Sequence, residues 1–267
     1  KIYLSNISSL FCEAVGGFYL ELISILGKRT GELHLALFDL EDPEFAPEPF
    51  SMNYQRSVYQ SIRNQVRRLM QSLDKNLKKL PEKIQKEAAE IRASEKEILD
   101  ILKKIFQRKM SAMKIRIHED YNLSEVLYTG KDFIIIDFEG NPAHSFGERR
   151  LKRSPLRDIA SMITSFRHVA YRTLFQNVSL KPEDISTLEP WVELWYNYIS
   201  GVFLQSYFNT VGATIFIPEE TESLLQAFIL EKEAYELSLG LGNSPELAII
   251  SIMGIKQILK SLRSSVN

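Results

Sequence analysis

The sequence predicts a mainly helical protein carrying one small β-hairpin. Apolar residues recur every three or four positions over long stretches at both ends of the chain, the period of a helix with one buried face. A short central segment, residues 114–136, changes to alternation with turn residues inside it. Prolines fall mostly between the periodic stretches, where helices start or stop.

The chain has 267 residues, 45% hydrophobic and 25% charged, enough for one large domain or two small ones. A net charge of −1 offers no strong field to a nucleic acid or an anionic membrane. The single cysteine, Cys12, forms no disulfide within the chain. That fits a reducing cytoplasm, and beside Phe11 and Val15 it reads as a small core residue. The longest apolar runs, such as Phe133–Ile136, are too short to span a bilayer, and no signal peptide is visible. The start at Lys1 is read as the start of a fragment.

Residues 10–38 show helical spacing through Tyr19, Ile23, Leu26, Leu33, Leu35 and Leu37, interrupted by Gly27 and Gly31. Residues 39–50 hold three prolines and five acids and read as a loop. From 51 to 110 two helices are expected. The first carries Val58, Ile62, Val66, Met70 and Leu73; Pro81 ends it, and the second runs through Ile84, Ala88, Ile91, Ile98 and Ile105. Residues 56–110 contain 15 Lys and Arg against 7 Asp and Glu, an excess of +8. Without interleaved aromatics this is a solvated helical face and not a nucleic-acid surface. From Leu156 the chain is helical again, punctuated by Pro182, Pro190, Pro218 and Pro245.

The central segment carries the chemistry. Val126–Leu127 and Phe133–Ile136 flank a turn at Thr129–Gly130, so a hairpin buried on one apolar face is expected there. Asp120 enters it and Asp137 leaves it. The two ends of an antiparallel pair lie close together, so these carboxylates share one small volume. The order H-x-D, hairpin, D-F-x-G is that of phosphoryl-transfer enzymes of the protein-kinase type. On that template Asp120 is the base and Asp137 a magnesium ligand. Glu125 stands where the second metal ligand belongs, with a carboxylate oxygen in place of an amide oxygen. A zinc helix of the form H-E-x-x-H also begins at His118, but its second histidine is Asn122 and its context is strand-like.

Several separated blocks resemble one family. They are "LGKRTGELHLAL" (26–37), "RIHEDYNLSEVL" (116–127), "DFIIIDFEGNP" (132–142), "ERRLKRSPLRDIASMITSFRHVAY" (148–171) and "FILEKEAYEL" (228–237). Together they are similar to the bacterial maltokinases, often fused to trehalose synthase and related to aminoglycoside phosphotransferases. The resemblance implies the helical C-terminal lobe of a protein-kinase-like fold over 1–267. It would comprise a helix hairpin at about 51–110, a catalytic loop and hairpin at about 114–142, and a sugar-binding helical region at about 156–267. The nucleotide-binding lobe would precede Lys1, so this chain alone is expected to bind ATP poorly. The reaction implied is ATP- and Mg2+-dependent conversion of maltose to maltose 1-phosphate, a glycogen precursor, in the cytoplasm. Trehalose synthase is the implied partner, in the same chain or complex. Asp158 in "SPLRD" is expected to accept hydrogen bonds from the catalytic-loop backbone, with His118 as a packed loop anchor. Asn122, Glu231 and Tyr235 are expected at the sugar.

The sequence departs from the family pattern at informative places. Glu119 replaces a glycine, Asn122 a histidine, Glu125 a glutamine and Asn141 an acid, and "LGNSPEL" replaces an Arg- and Trp-bearing stretch. These changes define a second reading, a non-catalytic module that keeps the fold and serves as an interaction domain.

Overall fold

The computed structural model describes residues 16–266 apart from 108, 143, 213, 214, 216, 217, 245 and 246. The readings of Cys12, of residues 10–15 and of Pro245 lie outside the described residues. The chain divides into two units, one of residues 1–48 and 113–216, the other of 49–112 and 217–267.

The first unit begins with helix α1 (Gly17–Phe38). Its buried stripe is Ile23, Leu26, Gly27, Thr30, Gly31 and His34. The expected leucines at 33, 35 and 37 are only half-buried. The stripe turns polar and small instead, for two reasons. Gly27 and Gly31 let α1 approach helix α7 (Pro182–Val211): a Cβ at Gly27 would lie 2.5 Å from the Phe203 carbonyl oxygen, and one at Gly31 2.7 Å from Thr210 Cβ. Thr30 and His34 make the buried hydrogen bonds described below. Helix α6 (Leu156–Gln176) packs on α7, with Ile159, Ile163, Phe166, Ile199 and Phe203 in the core and the Phe166 and Phe203 rings edge to face at 5.5 Å. Pro190 does not end a helix, as its position had predicted; it lies inside α7. The carbonyl that loses its helical donor belongs to Ser186, which is exposed to solvent.

Strands β1 (Val126–Tyr128) and β2 (Phe133–Ile135) form the hairpin, pairing Val126 with Ile135, Leu127 with Ile134 and Tyr128 with Phe133. Gly130, at φ 95, makes the turn, and Thr129 N donates to Asp132 O at 2.9 Å. One face of the hairpin, with Val126, Phe133 and Ile135, is half-buried, and the other is open. The cross-strand pair Leu127 and Ile134 is 51% and 53% exposed. A two-stranded sheet has nothing on its far side unless another element covers it. Helix α5 (Phe146–Arg149) follows, capped by a reciprocal Ser145–Glu148 pair.

The second unit is helical: α2 (Met52–Asn76), α3 (Glu82–Ala93), α4 (Glu95–Gln107), α8 (Pro218–Asn243) and α9 (Ala248–Val266). Ser51 caps α2 by accepting from Tyr54 N. Val58, Ile62, Val66 and Leu73 of α2 join Ile98, Leu102, Phe228, Leu237 and Ile252 in its core. The single helix expected after Pro81 is two, divided at Ser94. Ser94 Oγ bonds the Glu90 carbonyl at 2.9 Å, which competes with the helical ladder. Lys256 pairs with Glu87 and Glu90, and Arg263 forks onto Glu97 at 2.6 and 2.8 Å, joining α9 to α3 and α4.

Candidate active site

Asp120 sits in a loop held from two helices. On α6, Asp158 is 1% exposed; its Oδ2 accepts from His118 N at 2.8 Å and its Oδ1 from Glu119 N at 2.9 Å. Seven residues on, Ser165 Oγ accepts from Leu123 N at 3.1 Å. Two turns of one helix face therefore bracket Asp120, a spacing a helix supplies automatically. On α1, Thr30 and His34 share a face at i, i+4. His34 Nε2 donates to Asp158 Oδ2 at 3.2 Å, while its Nδ1 meets the Tyr207 hydroxyl at 2.8 Å. Thr30 Oγ1 donates to Leu26 O at 2.8 Å, so the Tyr121 hydroxyl donates to Thr30 Oγ1 at 2.7 Å. Burial raises the Tyr121 and Tyr207 hydroxyl pKa values, which keeps both as donors.

His118 is the joint between the loop and the hairpin's exit. Its Nε2 donates to Ile136 O at 2.7 Å, and its ring lies 4.9 Å from that of Phe138 and 5.4 Å from that of Tyr121. One buried ring thus touches both neighbours of Asp137 and stands two residues before Asp120. Ile136 N donates to Glu125 O at 3.0 Å, continuing the hairpin register, so Glu125 and Asp137 lie just outside the two strands at the same end of the hairpin. Asp120 is half-buried and Asp137 exposed. Asp137 takes a left-handed φ of 63, uncommon for a non-glycine residue and frequent where a site aims a side chain.

Asn122 Nδ2 donates to Asp120 O at 3.0 Å and its Oδ1 accepts from Ser124 N at 2.9 Å, so its side chain shapes the loop. Ser124 Oγ donates to Glu125 Oε1 at 3.0 Å. Glu231 and Tyr235 lie in the second unit on α8; Glu231 Oε1 accepts from Ser61 Oγ at 3.2 Å, and Lys232 Nζ stands 5.6 Å from the Tyr235 ring centroid. Among the described residues no group of three or more His, Cys, Asp or Glu side chains forms a ready metal cage. Two hard carboxylates beside phosphate oxygens fit magnesium, which keeps waters and is seldom caged by protein alone.

The sequence reading missed Thr30, His34 and Ser165. Their signal was present: continuing the stripe from Ile23 and Leu26 in steps of four lands on Thr30 and His34. It also missed a clamp on the hairpin. Arg29 on α1 forks onto Asp132, Nε to Oδ1 at 2.9 Å and Nη2 to Oδ2 at 2.8 Å, while Asp132 Oδ1 accepts from Phe133 N. The Arg29 hydrogen bond, then the Phe133 amide, depress the Asp132 pKa to about 2. A depressed carboxylate favours the clamped state above its ordinary pKa of 3.8, and that preference is lost as pH falls through about 2. An NMR titration following the Phe133 amide is expected to show that acid midpoint, and Arg29→Met to move it up towards the ordinary value. An unmoved midpoint would mean the clamp does not exist in solution.

No protein-family model matches the chain. A curated glucosamine kinase of Streptacidiphilus jiangxiensis is 24% identical over 98 residues, 37% of this chain and 21% of that protein. A solved glucosamine kinase in complex with glucosamine, ADP and inorganic phosphate shares 18% identity at a TM-score of 0.72, covering 93% of this chain and 57% of that one. A second crystal form gives 0.70 at 18% identity, covering 91% and 53%. The chain thus spans little more than half the length of the solved structures it matches. The fold is mainly helical. The described part has the fold of the matched portion of a glucosamine kinase. Among the described residues no helix is long and apolar enough to cross a membrane.

Proposed function

We propose that this chain is the catalytic, mainly helical part of an ATP-dependent sugar kinase. The observation that carries this is His118, which joins the Asp120 loop to both neighbours of Asp137 on a sugar-kinase-like fold. Asp120 orients a sugar hydroxyl and accepts its proton as phosphoryl transfer proceeds. Asp137 and Glu125 hold magnesium. The ion, when bound, offsets the charge of the nucleotide phosphates. Asp158, Ser165, Thr30 and His34 fix the loop so that Asp120 needs no reorganisation when the hydroxyl arrives.

The motif blocks favour maltose, giving maltose 1-phosphate, with trehalose synthase as a partner, and the fold neighbours favour an amino sugar such as glucosamine. Incubating the full-length protein with ATP, Mg2+ and each sugar in turn, with 31P NMR of the product, separates them. Sugar phosphate is the expected product. No reaction with either sugar or related hexoses would favour the non-catalytic module that Glu119 and Asn122 suggest.

The metal assignment has its own test. Mn2+ titrated into the protein and followed by water-proton relaxation is expected to bind wild type more tightly than Asp137→Ala at one pH. Binding should be weak until nucleotide phosphates complete the shell. Equal binding by the two proteins would take Asp137 out of the metal role.

A further inference from the structure

Glu119 lies between His118 and Asp120, where a small flexible residue would be the simple choice. Its φ is 76. A left-handed backbone is strained for a bulky residue, and glycine avoids that strain. The side chain shows what offsets the cost. It is 5% exposed, with Oε1 2.5 Å from Arg153 Nε and 3.6 Å from His144 Nδ1. Among the described residues neither carboxylate oxygen has an aligned hydrogen bond, so the contact with Arg153 is one of charge. The Oε2 atom packs against Gly140, where an added Cβ would sit 3.1 Å away. One carboxylate therefore meets the stretch after Asp137 at Gly140, His144 and Arg153.

That stretch is tied internally and at its far end. The Arg149 guanidinium donates to the carbonyls of His144 at 3.0 Å, Pro142 at 3.3 Å and Glu139 at 3.5 Å. Arg153 exchanges backbone bonds with Ile115 at 2.9 and 2.7 Å, just before the loop. Between those ties, Glu119 joins the stretch to the Asp120 loop, and Arg116 Nη1 adds a bond from just before the loop to Arg150 O at 2.7 Å.

We propose that Glu119 is a positioning residue. It pins residues 138–153, and through them Asp137, to the loop that carries Asp120. Its kinetic consequence rests on the phosphotransfer reading above; its structural consequence does not.

The test is amide hydrogen exchange on the full-length protein, with Glu119→Gln, Arg153→Met and the double variant compared with wild type. Each single change is expected to speed exchange over 139–152 by about tenfold, with the interior of α6 unchanged. The double variant is expected to exceed either single by less than about twofold, because the two side chains act as one unit. Glu119→Gly is expected to speed exchange there too, although it relieves the backbone. If wild type phosphorylates a sugar, Glu119→Gln should lower kcat by about tenfold and leave the sugar KM within about twofold. Exchange unchanged in the single variants, or additive in the double, overturns the proposal whether or not the protein is a kinase. Altered exchange with an undiminished kcat confines Glu119 to the fold and overturns its link to Asp137. A wild-type protein without kinase activity leaves the exchange results to decide the pinning and counts only against the phosphotransfer reading.

Discussion

Asp120→Asn in the full-length protein is expected to slow sugar phosphorylation by about a hundredfold to ten-thousandfold, the usual contribution of a positioned general base. The asparagine is nearly isosteric but takes no proton. The loop should keep its shape, because its anchors are the His118, Glu119 and Leu123 amides, the His118 ring and the Tyr121 hydroxyl, and not the Asp120 carboxylate. The substitution should therefore leave the melting temperature unchanged while kcat falls. Steady-state kinetics and a thermal melt on the same preparation check both halves. An active wild type whose Asp120→Asn variant keeps more than about half its rate would remove Asp120 from the base role.

The second large effect is on stability. Asp158→Ala is expected to destabilise the protein by about 3–5 kcal/mol, because it strips the partner from buried donors. Three donors lose it: His118 N, Glu119 N and His34 Nε2. For a protein of this size that is a fall in Tm of roughly 10 °C. Asp158→Asn keeps one accepting oxygen and should lose less. The His118 and Glu119 amides should exchange faster in both variants. A Tm within about 2 °C of wild type for Asp158→Ala would show that the loop does not depend on this carboxylate. The two predictions separate cleanly: Asp120 is expected to matter for rate and not for stability, and Asp158 for stability first and for rate through the loop.

Local pattern was enough for much of this protein. The turn chemistry of Thr129–Gly130, the alternation around it and the helical periods on either side depend on near neighbours, so the hairpin and most helix positions were legible from the sequence. The order of Asp120, hairpin and Asp137 was legible for the same reason, since an antiparallel pair brings its own ends together. What the loop rests on was decided only in three dimensions. Asp158 was expected there from its sequence block; its companions Thr30, His34 and Ser165 were not, because they come from two helices far apart in sequence and their polar side chains interrupt otherwise apolar faces. A pattern scored for hydrophobicity passes over such residues, because their burial is offset by partners the sequence does not name. Leu127 and Ile134 show the converse: both are apolar, but burial needs a covering element, and none covers this pair among the described residues. Glu119 combines both lessons. Its sequence position suggested damage to a loop that wants glycine. The tertiary structure gives that side chain Arg153 and His144, and a strained backbone persists where surrounding charge holds it in place.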